Sequence, residues 1–247
     1  MRFIIITIVL SIASACQPSV NTKKEAHSSG KKPIDSRRTV QKEPLELHQD
    51  TVSFNGQKYL RVLNDNNHFH CLLSQKGDTL IEPQDYYFDA EFLDINEDGY
   101  KDIRVSFFSN NPNQCDNFLF HPKDKSYQLL QNCDLAIQKI QGTDFYYSYS
   151  PVGCSDMDWE SYLCKIEGNE QINYGYINGK GCDFDTKTEP QVIEVYKITN
   201  TKDSEPKLVQ TLPYTKYIPE FEKKWDFIEY YWKKNYLNFY YGKTTAS

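Results

Sequence analysis

The chain offers no apolar run long enough to cross a membrane as a helix. Its longest apolar stretch, Phe3 to Ile12 with Thr7 and Ser11 interrupting it, falls well short of the roughly 20 residues that hydrocarbon requires. No C-x-x-C pair occurs, and the cysteine spacings, none below ten residues, match no zinc module. G-x-S-x-G, H-E-x-x-H and a phosphate-binding glycine loop are missing too, so the usual sequence grounds for a serine hydrolase, a zinc protease or a nucleotide enzyme are absent. No alternation of strand and helix patterns appears, which argues against a parallel α/β fold. A basic face is also lacking beyond the first 42 residues. The chain holds 28 basic and 34 acidic residues; Arg2 and the segment 17–42 account for eight and two of them, leaving 20 against 32, a net charge of −12. A nucleic-acid binder needs the opposite balance.

What is present begins at the N-terminus. A positive Arg2, the short apolar run and Ala13-Ser14-Ala15 before Cys16 follow the order of a secretory signal peptide. The A-x-A ending suits an ordinary signal peptidase. The small residue before Cys16 resembles a bacterial lipobox, with Ala13 where leucine is usual. Both cut the same bond, so residues 1–15 are expected to be removed and the mature chain to start at Cys16. Of seven cysteines, setting Cys16 aside leaves an even set, Cys71, Cys115, Cys133, Cys154, Cys164 and Cys182, which suits an oxidising compartment. Lipid on Cys16 is therefore expected to hold the protein to a membrane of the cell envelope, at the outer membrane or cell surface, with the periplasm as the alternative.

Residues 16–48 read as a linker. Lys23, Lys24, Lys31, Lys32, Arg37, Arg38 and Lys42 face only Glu25 and Asp35, and so few apolar residues cannot offset the entropy of ordering. Residues 49–215 read as a β domain. Thr51–Phe54, Lys58–Leu63, Asp102–Phe108 and Val192–Ile198 are short, rich in β-branched and aromatic residues and partly alternating. Turns are expected at Asn55-Gly56, Lys76-Gly77-Asp78, Pro122 to Lys125 and Asn178-Gly179-Lys180-Gly181. The fold class is thus mainly β, an antiparallel meander, propeller-like or a barrel, with one C-terminal amphipathic helix over 216–243. In that helix Phe221, Trp225, Ile228, Trp232, Tyr236 and Phe239 recur at three- and four-residue steps, after Pro219, and are expected to pack on the β domain.

One motif carries chemistry. Asp94-Ile95-Asn96-Glu97-Asp98-Gly99-Tyr100-Lys101-Asp102 reads D-x-N-x-D-G-x-x-D. Oxygen-bearing side chains at positions 1, 3 and 5 converge on one cation as a chain wraps around it, with a carbonyl at position 7 and a carboxylate at position 9. Three carboxylates without sulfur or imidazole specify calcium. An EF-hand is excluded, because position 12 is Val105 and both flanks read as strands. The loop, with Asn117 to Tyr127 reading as the hairpin after it, resembles the strand–loop–strand calcium loops of FG-GAP (integrin-type) and VCBS repeats. In particular it resembles small secreted or lipid-anchored bacterial proteins, some of them propeller-like inhibitors or immunity proteins against cell-wall hydrolases. The likeness covers residues 85–130. It implies calcium held by the side chains of Asp94, Asn96, Asp98 and Asp102 and the carbonyl of Tyr100, in a structural role.

Cys115 and Cys133 lie symmetrically about Asp124 in a hairpin, which makes them a disulfide pair on geometric grounds. Cys154 and Cys182 each follow a glycine in a loop-like stretch and offer a second pair; Cys71 with Cys164 is then only the remainder, and six cysteines leave 15 pairings open to peptide mapping. His68 and His70 alternate on a strand, either as a metal pair or as exposed strand residues. Asp156, Asp158 and Glu160 around Trp159 place acids beside an aromatic, as a glycan-active enzyme would; the other reading is a loop with a buried Trp and a capping Asp. The expected function is a non-catalytic lipoprotein with a structural calcium site, binding a protein or glycan partner in the envelope. The alternative is a glycan-active enzyme using the acids near Trp159.

Overall fold

A computed structural model describes residues 46–184, 190–199 and 205–240. The expected signal peptide, Cys16 and nearly all of the linker lie outside the described residues.

Asn55 and Gly56 both take positive φ, 50° and 68°, and join β1 (Leu47–Phe54) to β2 (Gln57–Asn64) through the two-residue turn that Asn-Gly favours. The chain continues into β3 (Phe69–Ser74) and, around Lys76-Gly77-Asp78, into β4 (Thr79–Ile81), which completes a four-stranded antiparallel sheet in chain order. A second four-stranded meander follows: β5 (Tyr87–Leu93), β6 (Asp102–Phe107), β7 (Cys115–His121) and β8 (Ser126–Leu129). The turn expected at 122–125 closes its last hairpin.

The third sheet has seven strands: β9 (Ile137–Lys139), β10 (Phe145–Ser148), β11 (Ser150–Gly153), β12 (Asp158–Glu167), β13 (Glu170–Lys180), β14 (Val192–Lys197) and β15 (Lys207–Pro213). Their order is β15-β14-β13-β12-β10-β9, with β11 also on β12. A single turn, α1 (Tyr214–Tyr217), and the helix α2 (Lys223–Phe239) end the fold. The molecule is mainly β, with antiparallel sheets in a meander and, among the described residues, no closed barrel.

Three apolar layers join these parts. Tyr59, Phe69, Leu72 and Ile81 of the first sheet pack on Tyr87, Ile103, Val105 and Phe120 of the second. Leu119, Leu130 and Cys133 of the second meander and its hairpin meet Ile137, Tyr146 and Cys164 of the third. The other face of the third sheet, through Trp159, Leu163, Ile177, Ile193 and Val195, takes Phe227, Ile228, Trp232 and Phe239 of α2.

Two expectations change here. Asn178-Gly179-Lys180 is strand, not turn: a Cβ at Gly179 would collide with the Trp159 indole, so the glycine makes room for a ring on the neighbouring strand. The helix is also shorter than 216–243 and rolled relative to the expected face. Lys224, Phe227, Ile228, Tyr231, Trp232 and Phe239 are buried, whereas Phe221 and Trp225 are exposed. The roll follows from Lys224, whose ammonium reaches the Tyr149 hydroxyl at 2.8 Å and the Asp156 carbonyl at 2.8 Å inside the layer.

Candidate functional site

The loop between β5 and β6 is built from its own side chains. The two carboxylate oxygens of Asp94 accept the N–H groups of Asp98 (3.1 Å) and Gly99 (2.9 Å). Asn96 Oδ1 accepts the Asp98 N–H at 3.1 Å, and Asp98 Oδ1 accepts that of Tyr100 at 2.9 Å. Such short-range bonds from Asx side chains are what this composition favours in a turn. Glu97 (φ 60°) and Gly99 (φ 93°) supply its two left-handed steps.

Asp102 behaves differently. It is fully buried, and its oxygens accept the N–H groups of Phe120 and Ile95, both at 2.8 Å. Burial pushes its carboxyl up to about 6, while the two backbone N–H groups pull the other way. The side chain fastens the start of the loop to β7.

As a cation site, Asp94, Asn96 and Asp98 line the inside of one turn and offer only hard oxygens, the donor chemistry of calcium. Asp94, Asp98 and Asp102 do not bring three ligand oxygens within 4.8 Å of one another among the described residues. The oxygens of Asp94, Asn96 and Asp98 accept N–H groups of the loop itself, and those of Asp102 are engaged by Ile95 and Phe120.

The loop also stands where the three sheets meet. Asn55, in the first hairpin, donates to the Lys101 carbonyl at 2.8 Å and accepts the Lys101 N–H at 2.6 Å. Phe120 holds it to the second sheet. From the third, Lys139 donates to the Asn96 carbonyl at 2.8 Å and pairs with Glu97 at 3.0 Å, and Gln141 donates to Glu97 at 3.2 Å. Asn55 and Lys139 carry no motif, and only the fold brings them here.

Cys154 and Cys182 form a disulfide, as expected. Asp158 lies beside the two sulfurs, but the S–S bond leaves no thiolate there to hold a metal. The other pairings are corrected: Cys71, Cys115, Cys133 and Cys164 are free, buried thiols. Past Leu129 the hairpin register slips, so that Gln114 bridges Leu135 and Cys133 flanks Cys115 without facing it. The Asn117 amide sits between the two sulfurs, 3.4 and 3.3 Å from them. Cys71 belongs to the first sheet and Cys164 to the third, where it packs with Cys133, so those two do not meet. Burial pushes the Cys115 thiol to about 11 and that of Cys133 to about 12.

Of the acids near Trp159, Asp158 and Glu160 line one cavity of about 640 Å³ with Glu194 and Lys180, whereas Asp156 lies apart from it. Trp159 is fully buried on the helix side of the sheet. Asp156 pairs with Lys224 at 3.2 Å and accepts the Tyr149 hydroxyl. Asp158 accepts the N–H groups of Gly181 and Cys182 (2.9 and 3.0 Å), and Glu160, two residues on along β12 and so on the same face, accepts the Tyr162 hydroxyl at 2.8 Å. His68 stacks near Phe88, with ring centroids 4.7 Å apart, and neither His68 nor His70 joins a group of metal ligands among the described residues.

No protein-family model matches the chain, and no curated protein matches it. Among solved structures, a Xanthomonas protein described as related to a type IV secretion system is similar with a TM-score of 0.39 and 15% identity, over 67% of this chain and 85% of that one. At that similarity neither fold nor role transfers.

Proposed function

We propose that this protein is an exported, lipid-anchored and non-catalytic envelope protein whose β domain is stiffened by calcium and binds a protein or glycan partner. The observation that carries the reading is the position of the Asp94–Asp102 loop: hard-oxygen donors stand where all three sheets meet. A cation at Asp94, Asn96, Asp98 and the Tyr100 carbonyl would offset the repulsion between carboxylates and hold that junction. The likeness of the loop to FG-GAP and VCBS calcium loops supports this, and extends the proposal to a partner such as a cell-wall hydrolase. The signal-like N-terminus and Cys16 support export and lipid attachment, and the acidic surplus beyond residue 42 suits a compartment rich in cations.

Extracellular modules bind calcium at roughly 10⁻⁴–10⁻³ M. At ten times such a dissociation constant, binding stabilises by about 1.4 kcal/mol, a rise of roughly 3–6 °C in the melting temperature of a domain this size. Thermal melts in calcium and in EDTA are expected to differ by that much for the intact protein and to coincide for Asp98→Ala. Coincident melts of the intact protein overturn the calcium reading. The alternative, a glycan-active enzyme, predicts turnover of peptidoglycan or polysaccharide that vanishes when Asp156, Asp158 and Glu160 are replaced together.

A further inference from the structure

The face of the third sheet turned away from α2 is only partly covered. Tyr146, Cys164 and Ile166 at one end pack on the second meander. Beyond them the pairing of β12 with β13 slips at Leu163/Cys164, and the face continues with polar and aromatic side chains. Tyr162, Tyr176 and Tyr196, directly paired across β12, β13 and β14, stack with ring centroids 5.6 and 4.6 Å apart. Where this stack ends at Tyr162, a groove of about 410 Å³ opens between the sheet and the connections that lead into and out of the β7–β8 hairpin. Its lining includes Asn111, Asp134, Ser148, Tyr162, Gln171 and Asn173.

Two of these side chains are anomalous. Ser148 is 2% exposed and Gln171 9%, yet Ser148 Oγ and Gln171 Oε1 have no hydrogen-bond partner among the described residues. A buried polar atom without a partner keeps the full cost of its lost hydration, and a fold retains such an atom where something else satisfies it. Gln171 is already oriented, because its amide nitrogen donates to Asn173 Oδ1 at 2.8 Å. Its bare carbonyl therefore calls for a donor from the ligand, whereas the Ser148 hydroxyl takes either role. Asn111 donates to the Ser150 hydroxyl at 3.0 Å and so holds one wall in place.

A ligand that both donates and accepts along its length, and has an apolar face for Tyr162, is a chain of sugar rings. A cationic peptide matches less well: Asp134 and Glu160 are the two carboxylates in a lining that is otherwise mostly amide and hydroxyl, and Glu160 already accepts the Tyr162 hydroxyl. We infer that this groove binds a neutral saccharide chain, with Gln171 and Ser148 receiving its hydroxyls and Tyr162 one ring face. The inference rests on the reading of the protein as a non-catalytic binding module and names the class of its partner.

Isothermal titration of the full-length protein in calcium buffer tests it. The probes are the β-1,4 hexamer of N-acetylglucosamine, the β-1,4 hexamer of glucose, and decalysine as a charge control. One hexamer or both are expected to bind, at least ten-fold more weakly to Gln171→Leu and to Tyr162→Ala, and to be recovered uncut. The melting temperature of Gln171→Leu is expected to hold or rise, since the orphaned carbonyl is gone; a purely structural Gln171 would lower it. Binding of neither hexamer to the intact protein, survival of binding in both variants, or binding of decalysine alone overturns the groove assignment. The calcium melts are unaffected by those outcomes. Cleavage of a bound hexamer supports the groove and overturns the non-catalytic reading.

Discussion

Cys115, Cys133 and Cys164 come together from three strands or turns, and burial raises each thiol above its ordinary range. Since the thiolate is the reactive form, these groups and buried Cys71 are expected to ignore Ellman's reagent in the folded protein. Four thiols besides any on Cys16 should appear once guanidinium unfolds it; rapid labelling of the native state would contradict the structure. The sequence made Cys154–Cys182 legible because both cysteines follow a glycine in a loop. It misled at Cys115 and Cys133, because the β7–β8 ladder pairs Phe118 with Leu129 and so centres between Lys123 and Asp124, not on Asp124. Beyond Leu129 the register moves by two more residues, to Gln114 opposite Leu135, and no local spacing records that. The D-x-N-x-D-G-x-x-D pattern announced its loop fully, including the turn, but not the buried role of Asp102 or the grip of Asn55 and Lys139.

At the scale of elements, the strands were readable from alternation and turn chemistry wherever one face meets solvent. Asn55-Gly56 and the 122–125 turn fall where expected, while Gly179 does not, because its function is to leave space and not to bend the chain. Gly179→Ala would push a methyl group into the Trp159 ring, itself held by the Tyr214 hydroxyl 3.2 Å from the indole nitrogen. Overpacking of this kind costs about 1–3 kcal/mol. A denaturant titration of Gly179→Ala is expected to show that loss with an unchanged slope; an unchanged midpoint would mean the sheet and helix separate more easily than their packing implies. Helix α2 was visible from its aromatic period. Its rotation was not, since aromatic residues occupy nearly every face and a buried lysine is legible only when its partners, Tyr149 and Asp156, are in view.

For the whole molecule, tyrosine sets the alkaline limit. Burial raises Tyr147, Tyr196 and Tyr231 to about 12 and moves Tyr87, Tyr127, Tyr149 and Tyr174 upward as well. A group whose folded pKa lies above its unfolded value leaves stability intact below the unfolded value and erodes it as pH climbs toward the folded one. The unfolding free energy is therefore expected to stay insensitive to these groups through neutral pH and to fall steeply above about pH 10. Phenolate absorbance and loss of β-sheet circular dichroism should rise together. Phenolate formation at pH 10–11 with the sheet signal intact would show that these rings are accessible after all.

All three tryptophans, Trp159, Trp225 and Trp232, belong to the last layer, where α2 meets the third sheet, and the first two sheets contain none. Intrinsic emission excited at the indole band is consequently a reporter of one third of the architecture. Unfolding followed by that emission and by far-ultraviolet ellipticity will superimpose only if the layers melt as one cooperative unit, so the offset between the two curves measures how strongly the junction at Asp94–Asp102 couples the N-terminal sheets to the C-terminal one.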